Sequence, residues 1–201
     1  MTRAVVFDLW DTVAAWPHGD PAHAELVAAV GLSPADWAAG DHRDRRWTGP
    51  FPDYLDWLGI DADAAARALE LRTEMTRRSL VPIEGALPLL EELRERGLGL
   101  GLISNCSSEV GELWEDSPFA GCFDAVVLSA DVGLSKPDAR IYRLALERLG
   151  AEPPDAVFVG DGESDELAGA EAAGLRAIQV GSREGWHGER IDSLEELTAL
   201  V

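Results

Sequence analysis

The sequence predicts an α/β fold: a parallel sheet with helices on both faces, and a small α-helical domain inserted after the first strand. Three observations predict it. Short apolar, β-branched runs recur along the 201 residues. Helical patterns separate most of them. One stretch, 15–80, breaks the alternation with helical patterns alone.

The first run, Ala4-Val5-Val6-Phe7, ends at Asp8 and reads as a strand buried on both faces. Runs of the same kind lie at 98–103, 125–128, 156–159 and 177–180. Between them the helical period appears at 86–96, 139–149 and 165–173. Alternation of strand and helix builds parallel sheets covered on both faces. Near the C-terminus, Ser193 and Glu196 fit a capping box that opens a last helix. Residues 15–80 hold helical segments at 22–30 and 62–78, broken by Pro17, Pro34, Pro50 and Pro52, with no convincing buried strand. They also carry four of the seven tryptophans and seven of the seventeen basic residues. The expected domains are therefore a core of 1–14 and 81–201 and a helical insertion of 15–80, which rejoins the sheet near Val81-Pro82. No internal repeat is visible.

The composition is that of an ordinary globular protein, and the length suffices for one core plus a small insert. No apolar run approaches the roughly 20 residues needed to cross a bilayer. The opening residues reach Asp8 too soon for a secretory signal. Cys106 and Cys122 provide neither a disulfide framework nor a CxxC knuckle; they read as small buried hydrophobes in a reducing cytoplasm. The expected location is cytoplasmic. A net charge of −20 repels polyanionic nucleic acid and anionic membranes, which disfavours both as partners. Most of that acid serves solubility. An anionic substrate would need a local cation against such a field.

In open α/β sheets, ligands bind beyond the carboxyl ends of the strands. The first strand is followed by Asp8-Leu9-Trp10-Asp11-Thr12, the second by Ser104-Asn105, and the fourth by Gly160-Asp161-Gly162-Glu163-Ser164-Asp165. Leu134-Ser135-Lys136-Pro137-Asp138 precedes a helix, and Lys136 is the only lysine in the chain. Three acids, a hydroxyl and a lysine thus gather at one edge of the sheet. Neighbouring carboxylates make one another harder to ionise, and a hard divalent cation with oxygen ligands relieves the repulsion. Mg²⁺ suits a site with few protein ligands. A compact ammonium at Lys136 would balance the remaining charge.

In this order and spacing, the four segments resemble the haloacid dehalogenase (HAD) superfamily of hydrolases. The resemblance covers 1–14 and 81–201. Its most specific parts are Lys136-Pro137-Asp138 and the run from Val159 to Asp165 leading to Gly169-Ala170. It implies a Rossmann-like core, and the insertion is similar to the family's helical cap. It also implies roles. Asp8 would be the nucleophile, forming an aspartyl-phosphate, and a Mg²⁺ ligand. Ser104 would hydrogen-bond the phosphoryl group, and Lys136 would neutralise charge on Asp8 and phosphate. Asp161 would bind the metal, with Asp165 beside it or in an outer position. Positioning and charge neutralisation are what phosphoryl transfer requires.

One departure stands out. Phosphatases of this family mostly carry an aspartate, the general acid and base, two residues after the nucleophile; here that position is Trp10. Its backbone carbonyl remains a possible metal ligand. Asp11 stands where the pattern expects glycine, and is either a turn residue or a displaced acid/base. The implied function is a Mg²⁺-dependent phosphatase of a small phosphorylated metabolite. Alternatives are dehalogenase-like chemistry, a catalytically weak binding protein, or phosphoryl transfer to an acceptor other than water. A dehalogenase needs no metal and usually lacks the acid retained here as Asp161. Phosphonate hydrolases use a cap lysine, which this insertion lacks.

The densest basic patch, from Asp41 to Trp47, offers Arg46 as a substrate contact and Trp47 as a stacking surface, or else a solvated helix face. Asn105 is the other expected substrate contact. Trp10 and Trp16 fit either a pocket mouth or packing between insertion and sheet. His18, His23, His42 and His187 form no HxH or HExxH pattern, so zinc is not expected. Oligomeric state has no signal in the sequence.

Overall fold

The computed structural model describes residues 2–16 and 18–201; Met1 and Pro17, the latter one of the expected helix breakers, lie outside the described residues. Six parallel strands run in the order β3-β2-β1-β4-β5-β6: β1 Ala4–Phe7, β2 Gly99–Ser104, β3 Ala125–Leu128, β4 Ala156–Gly160, β5 Arg176–Val180 and β6 Glu189–Ile191. All neighbouring pairs are parallel. Alternation along β1 divides the interior. Val5 and Phe7 face one cluster with Leu90, Leu93, Leu102 and Ile178. Ala4 and Val6 face the other, with Tyr142, Leu146 and Phe158. Helices therefore cover both faces, and the central strand is buried throughout, as its unbroken apolar run requires.

Between β1 and the helix α6 Ala86–Glu95 lie five helices: α1 Pro21–Ala29, α2 Pro34–Ala38, α3 Gly40–Trp47, α4 Phe51–Leu58 and α5 Ala62–Ser79. Their apolar side chains, among them Leu26, Trp37, Phe51, Tyr54 and Met75, form a third cluster of their own. The described prolines in this region start helices rather than merely ending them. Pro34 follows the cap Ser33, whose hydroxyl accepts from Asp36 N at 3.1 Å, and Pro52 sits in the first turn of α4. Asp61 caps α5 by accepting from Ala64 N at 2.9 Å.

The other helices are α7 Glu109–Leu113, α8 Ser129–Val132, α9 Ala139–Leu149 and α10 Glu166–Ala172. Four details correct the sequence reading. The second strand starts at Gly99, because Leu98 N still bonds back to Leu93 O at the end of α6. The expected helix 165–173 begins at Glu166, since Ser164 and Asp165 take left-handed φ values of 57° and 56°. Ser193 caps nothing with its side chain, and 194–199 is a 3₁₀ turn instead of the helix a capping box would open. Strand β6 pairs with β5 through three residues, too few to carry a readable period.

Candidate active site

Asp8 follows β1 at the centre of the sheet, with its backbone N donating to Val159 O at 2.8 Å. Its carboxylate is buried. Oδ1 accepts from Lys136 Nζ, and Oδ2 from Thr12 Oγ1 at 3.3 Å. The same ammonium donates to Glu166 Oε2 at 2.5 Å, so Lys136 bridges two buried acids. Burial pushes Asp8 above the usual carboxylate range, with Lys136 opposing. Burial and the nearby Asp8 charge push Glu166 up to about 8, against Lys136 and the Gly162 N–H. Burial works to lower Lys136, but Asp8 and Glu166 outweigh it and hold the ammonium above its usual range.

The surrounding chain fixes this bridge. Asn105 clasps the backbone of Lys136, donating through Nδ2 to its carbonyl at 2.9 Å and accepting from its N–H at 2.8 Å. Tyr142 Oη donates to Glu166 O at 2.7 Å, and Gly162 N to Glu166 Oε1 at 3.0 Å. Two glycines make room. A Cβ at Gly160 would collide with the Glu166 carboxyl, and one at Gly169 would lie 2.6 Å from Pro137 O. Successive left-handed residues at Ser164 and Asp165 bring the first turn of α10 onto the lysine. L-residues seldom adopt that conformation, and such departures cluster at functional sites.

Oxygen atoms of Asp8, Asp161 and Glu166 lie within 4.8 Å of one another, and all three residues are buried. A hard divalent cation fits this donor set, which offers carboxylates and no soft ligand. All three already accept hydrogen bonds, Glu166 from Lys136 and Gly162, so a cation would share its oxygens with them; Asp8 and Asp161 stand at the ends of neighbouring strands β1 and β4. Asp161 Oδ1 accepts from Glu163 N at 2.9 Å, and Oδ2 from Arg183 Nε at 2.9 Å and Nη2 at 2.5 Å. A cation on Oδ2 would share that oxygen with Arg183 or displace it. Gln179, fully buried, places Arg183 by donating from Nε2 to the carbonyls of Asp161 and Arg183, each at 2.9 Å.

Above the acids lies a cavity of about 350 Å³, within the range of small-molecule sites. Asp8, Lys136, Glu166 and Asn105 line it from the core side; Trp10, Trp16 and Trp47 supply aromatic wall, joined by Arg72, Arg183 and His18. Trp10 and Trp16 meet edge to face at 5.1 Å.

Several sequence-derived candidates fall elsewhere. Asp165 is exposed and lies outside the acidic cluster; its neighbour Glu166 turns inward instead. Arg46 does not reach the cavity. It is buried within the insertion, donating from Nη1 to Trp37 O at 2.7 Å and lying 3.8 Å over the Trp37 ring, and burial lowers its pKa to about 10. Asn105 borders the cavity, but its amide is taken by Lys136. Asp11, at a left-handed φ of 54°, points away: its carboxylate accepts from Trp16 N at 3.0 Å and meets His18 Nε2 at 2.7 Å. Ser104 Oγ is fully buried with no well-formed hydrogen bond, although the Cys106 thiol lies close enough to feel it. Buried polar atoms are rarely left so, and Ser104 does not line the cavity as it stands.

The sequence reading missed Glu166, Arg72, Arg183 and His18 as cavity residues. Only Glu166 had a local signal, standing next to a chosen acid at the start of a helical period. The three others arrive from the insertion, the entry to α1 and the loop after β5, which tertiary structure alone brings together.

A model of the family described as haloacid dehalogenase-like hydrolases matches residues 2–174. The phosphoserine phosphatase of Thermus thermophilus is 36% identical over 141 residues, covering 67% of this chain and 56% of that protein. Phosphoglycolate phosphatase 1 of Pseudomonas aeruginosa is 29% identical over 201 residues, covering 92% and 72%. The chain spans about half the length of several curated relatives it matches, from 41 to 56% for four of them. Among solved structures, a 2-haloacid dehalogenase from Pseudomonas syringae superposes with a TM-score of 0.70 at 26% identity, covering 100% of this chain and 98% of that one. A HAD phosphatase from Thermococcus onnurineus reaches 0.72 at 23% identity over 99% and 97%, a likeness of fold.

Proposed function

We propose that this chain, which belongs to the haloacid dehalogenase-like hydrolase family, is a phosphomonoesterase that attacks a small phosphorylated metabolite with the carboxylate of Asp8. One observation carries the reading: a buried carboxylate at the end of the central strand, bridged by the chain's only lysine to a second buried acid and opening into a cavity of metabolite size. Phosphatase activity in several relatives, the phosphoserine and phosphoglycolate phosphatases among them, supports it.

In this account Asp8 Oδ attacks phosphorus, the ester oxygen leaves, and water then hydrolyses the aspartyl-phosphate. Lys136 balances the charge of Asp8 and of the incoming phosphoryl group, and Glu166 anchors the ammonium between them. Ser104 Oγ donates to a phosphoryl oxygen, which gives a partner to a hydroxyl otherwise left without one. Mg²⁺, held by Asp8 and Asp161 with the Trp10 carbonyl, would supply the positive charge that a phosphate needs in a chain of net −20. The helices between β1 and α6 serve as a cap, with Trp16, Trp47 and Arg72 facing the leaving group. Among the described residues no helix is long and apolar enough to cross a membrane. Two free thiols, Cys106 and Cys122, suit a reducing cytoplasm.

The test is phosphate release from a metabolite panel, with and without Mg²⁺, in the wild type and in Asp8→Asn. Magnesium-dependent release that Asp8→Asn abolishes while the fold persists is the expected result. Halide release from 2-haloacids without phosphate release would replace this reading with the dehalogenase one. Tight binding of a phosphorylated ligand without turnover would replace it with a binding role.

A further inference from the structure

We propose that His18, oriented by Asp11, is the group that protonates the leaving oxygen. The assignment rests on the phosphomonoesterase reading and fills the gap that Trp10 leaves in it. An indole N–H gives up no proton to a departing alkoxide, so the side chain at position 10 cannot do this work. Asp11 cannot do it either, because its carboxylate turns into the loop and is held by Trp16 N at 3.0 Å. What Asp11 does instead is fix His18, through a 2.7 Å contact to Nε2. That contact commits one ring nitrogen and leaves Nδ1 as the one able to exchange a proton with a substrate.

His18 shares a cavity with Asp8 and Lys136. Its side chain is 71% exposed, which places it on the solvent side of the cavity; in-line attack from buried Asp8 turns the ester oxygen toward that side. The charged groups lining that cavity are Glu163 and Arg183 on the exposed side, with Arg72, Asp8, Lys136 and Glu166 buried, and Asp11 meets it only through His18. A carboxylate–imidazole pair carries a proton both ways, since the carboxylate steadies the imidazolium and sets the tautomer of the neutral ring.

The chemistry balances. As Asp8 Oδ forms its bond to phosphorus, the bond from phosphorus to the ester oxygen breaks, and the His18 imidazolium gives its Nδ1 proton to that oxygen. The neutral ring then takes a proton from the water that attacks the aspartyl-phosphate. Inorganic phosphate leaves, with the Asp8 carboxylate and the imidazolium restored.

The experiment compares kcat/KM for alkyl phosphates and for p-nitrophenyl phosphate, whose leaving group needs no proton. His18→Gln should lower the alkyl value by about 10²- to 10⁴-fold and the aryl value by less than about tenfold. Asp11→Asn should shift the alkyl-to-aryl ratio in the same direction by a smaller factor, and added imidazole should restore alkyl turnover in His18→Ala. Equal losses on both substrates, or none, would overturn the role of His18 while leaving the nucleophile untouched. Failure of the wild type to release phosphate from any ester would overturn the phosphomonoesterase reading, and this one with it. Aryl turnover that survives Asp8→Asn would overturn the nucleophile, and with it the steps assigned to His18.

Discussion

Gly169→Ala is a sharp probe of how the Lys136 bridge is held, because the change lies outside the cavity wall. The new methyl would sit 2.6 Å from Pro137 O and 2.7 Å from Pro137 Cβ. Carbon contacts are most favourable near 3.5–4.0 Å, so α10 and the 136–137 segment must separate by roughly 1 Å. Glu166 stands one turn before Gly169 on the same helix, and Lys136 directly precedes Pro137. The separation therefore stretches the 2.5 Å contact between Lys136 Nζ and Glu166 Oε2 and draws the ammonium off Asp8. Two stability terms oppose each other. Overpacking costs about 1–3 kcal/mol, while replacing glycine by alanine within a helix returns about 1 kcal/mol. Urea unfolding followed by tryptophan fluorescence should show a net loss of about 0–2 kcal/mol. Catalysis has no such offset, and a misplacement of about 1 Å can cost on the order of 10²-fold in kcat/KM. Wild-type kcat/KM in Gly169→Ala, whatever its stability, would refute the claim that packing of α10 on Pro137 positions Lys136.

Lys136→Arg keeps the charge, but a planar guanidinium cannot occupy a slot with buried carboxylates on two sides. We expect kcat/KM to fall at least about 10²-fold, because the misplaced charge no longer serves Asp8. Unchanged kinetics would put Lys136 outside the chemistry. The two thiols should also differ. Burial pushes Cys106 up to about 12, so iodoacetamide at pH 8 should label Cys122 alone in the native protein and both only after denaturation. Mass spectrometry of native Cys106 carrying the label would contradict the burial described for it.

The strands and the order of the acids were legible because both leave local marks. A strand buried on two faces must be apolar along its whole length, and parallel strands present their carboxyl ends together, so Asp8, Ser104 and Asp161 were marked by position alone. The placement of Glu166 was not. Which of two adjacent acids turns inward depends on the left-handed backbone at Ser164 and Asp165, and on a glycine at 160 leaving space for a carboxyl. Arg46 misled for the opposite reason: a charged residue in a basic run looks solvated, yet its guanidinium is buried against Trp37 and Tyr54. Edge strand β6 and the 3₁₀ turn at 194–199 owe their form to the sheet and the core they cover, which no short window of sequence records.

Arg72 lies on α5, in the inserted helices, and Glu109 on α7, in the sheet domain. The guanidinium donates from Nε to Ser107 Oγ at 2.8 Å and faces the Glu109 carboxylate at 3.7 Å, both groups deep inside. Neither Glu109 oxygen has a well-formed hydrogen bond. Prising an oily joint apart wets carbon, and the hydrophobic effect drives it shut again. Prising this joint apart would give water to an under-solvated carboxylate and a dehydrated cation, and their hydration offsets much of the attraction lost. The contact between α5 and α7 thus resists separation less than an apolar contact of the same area would.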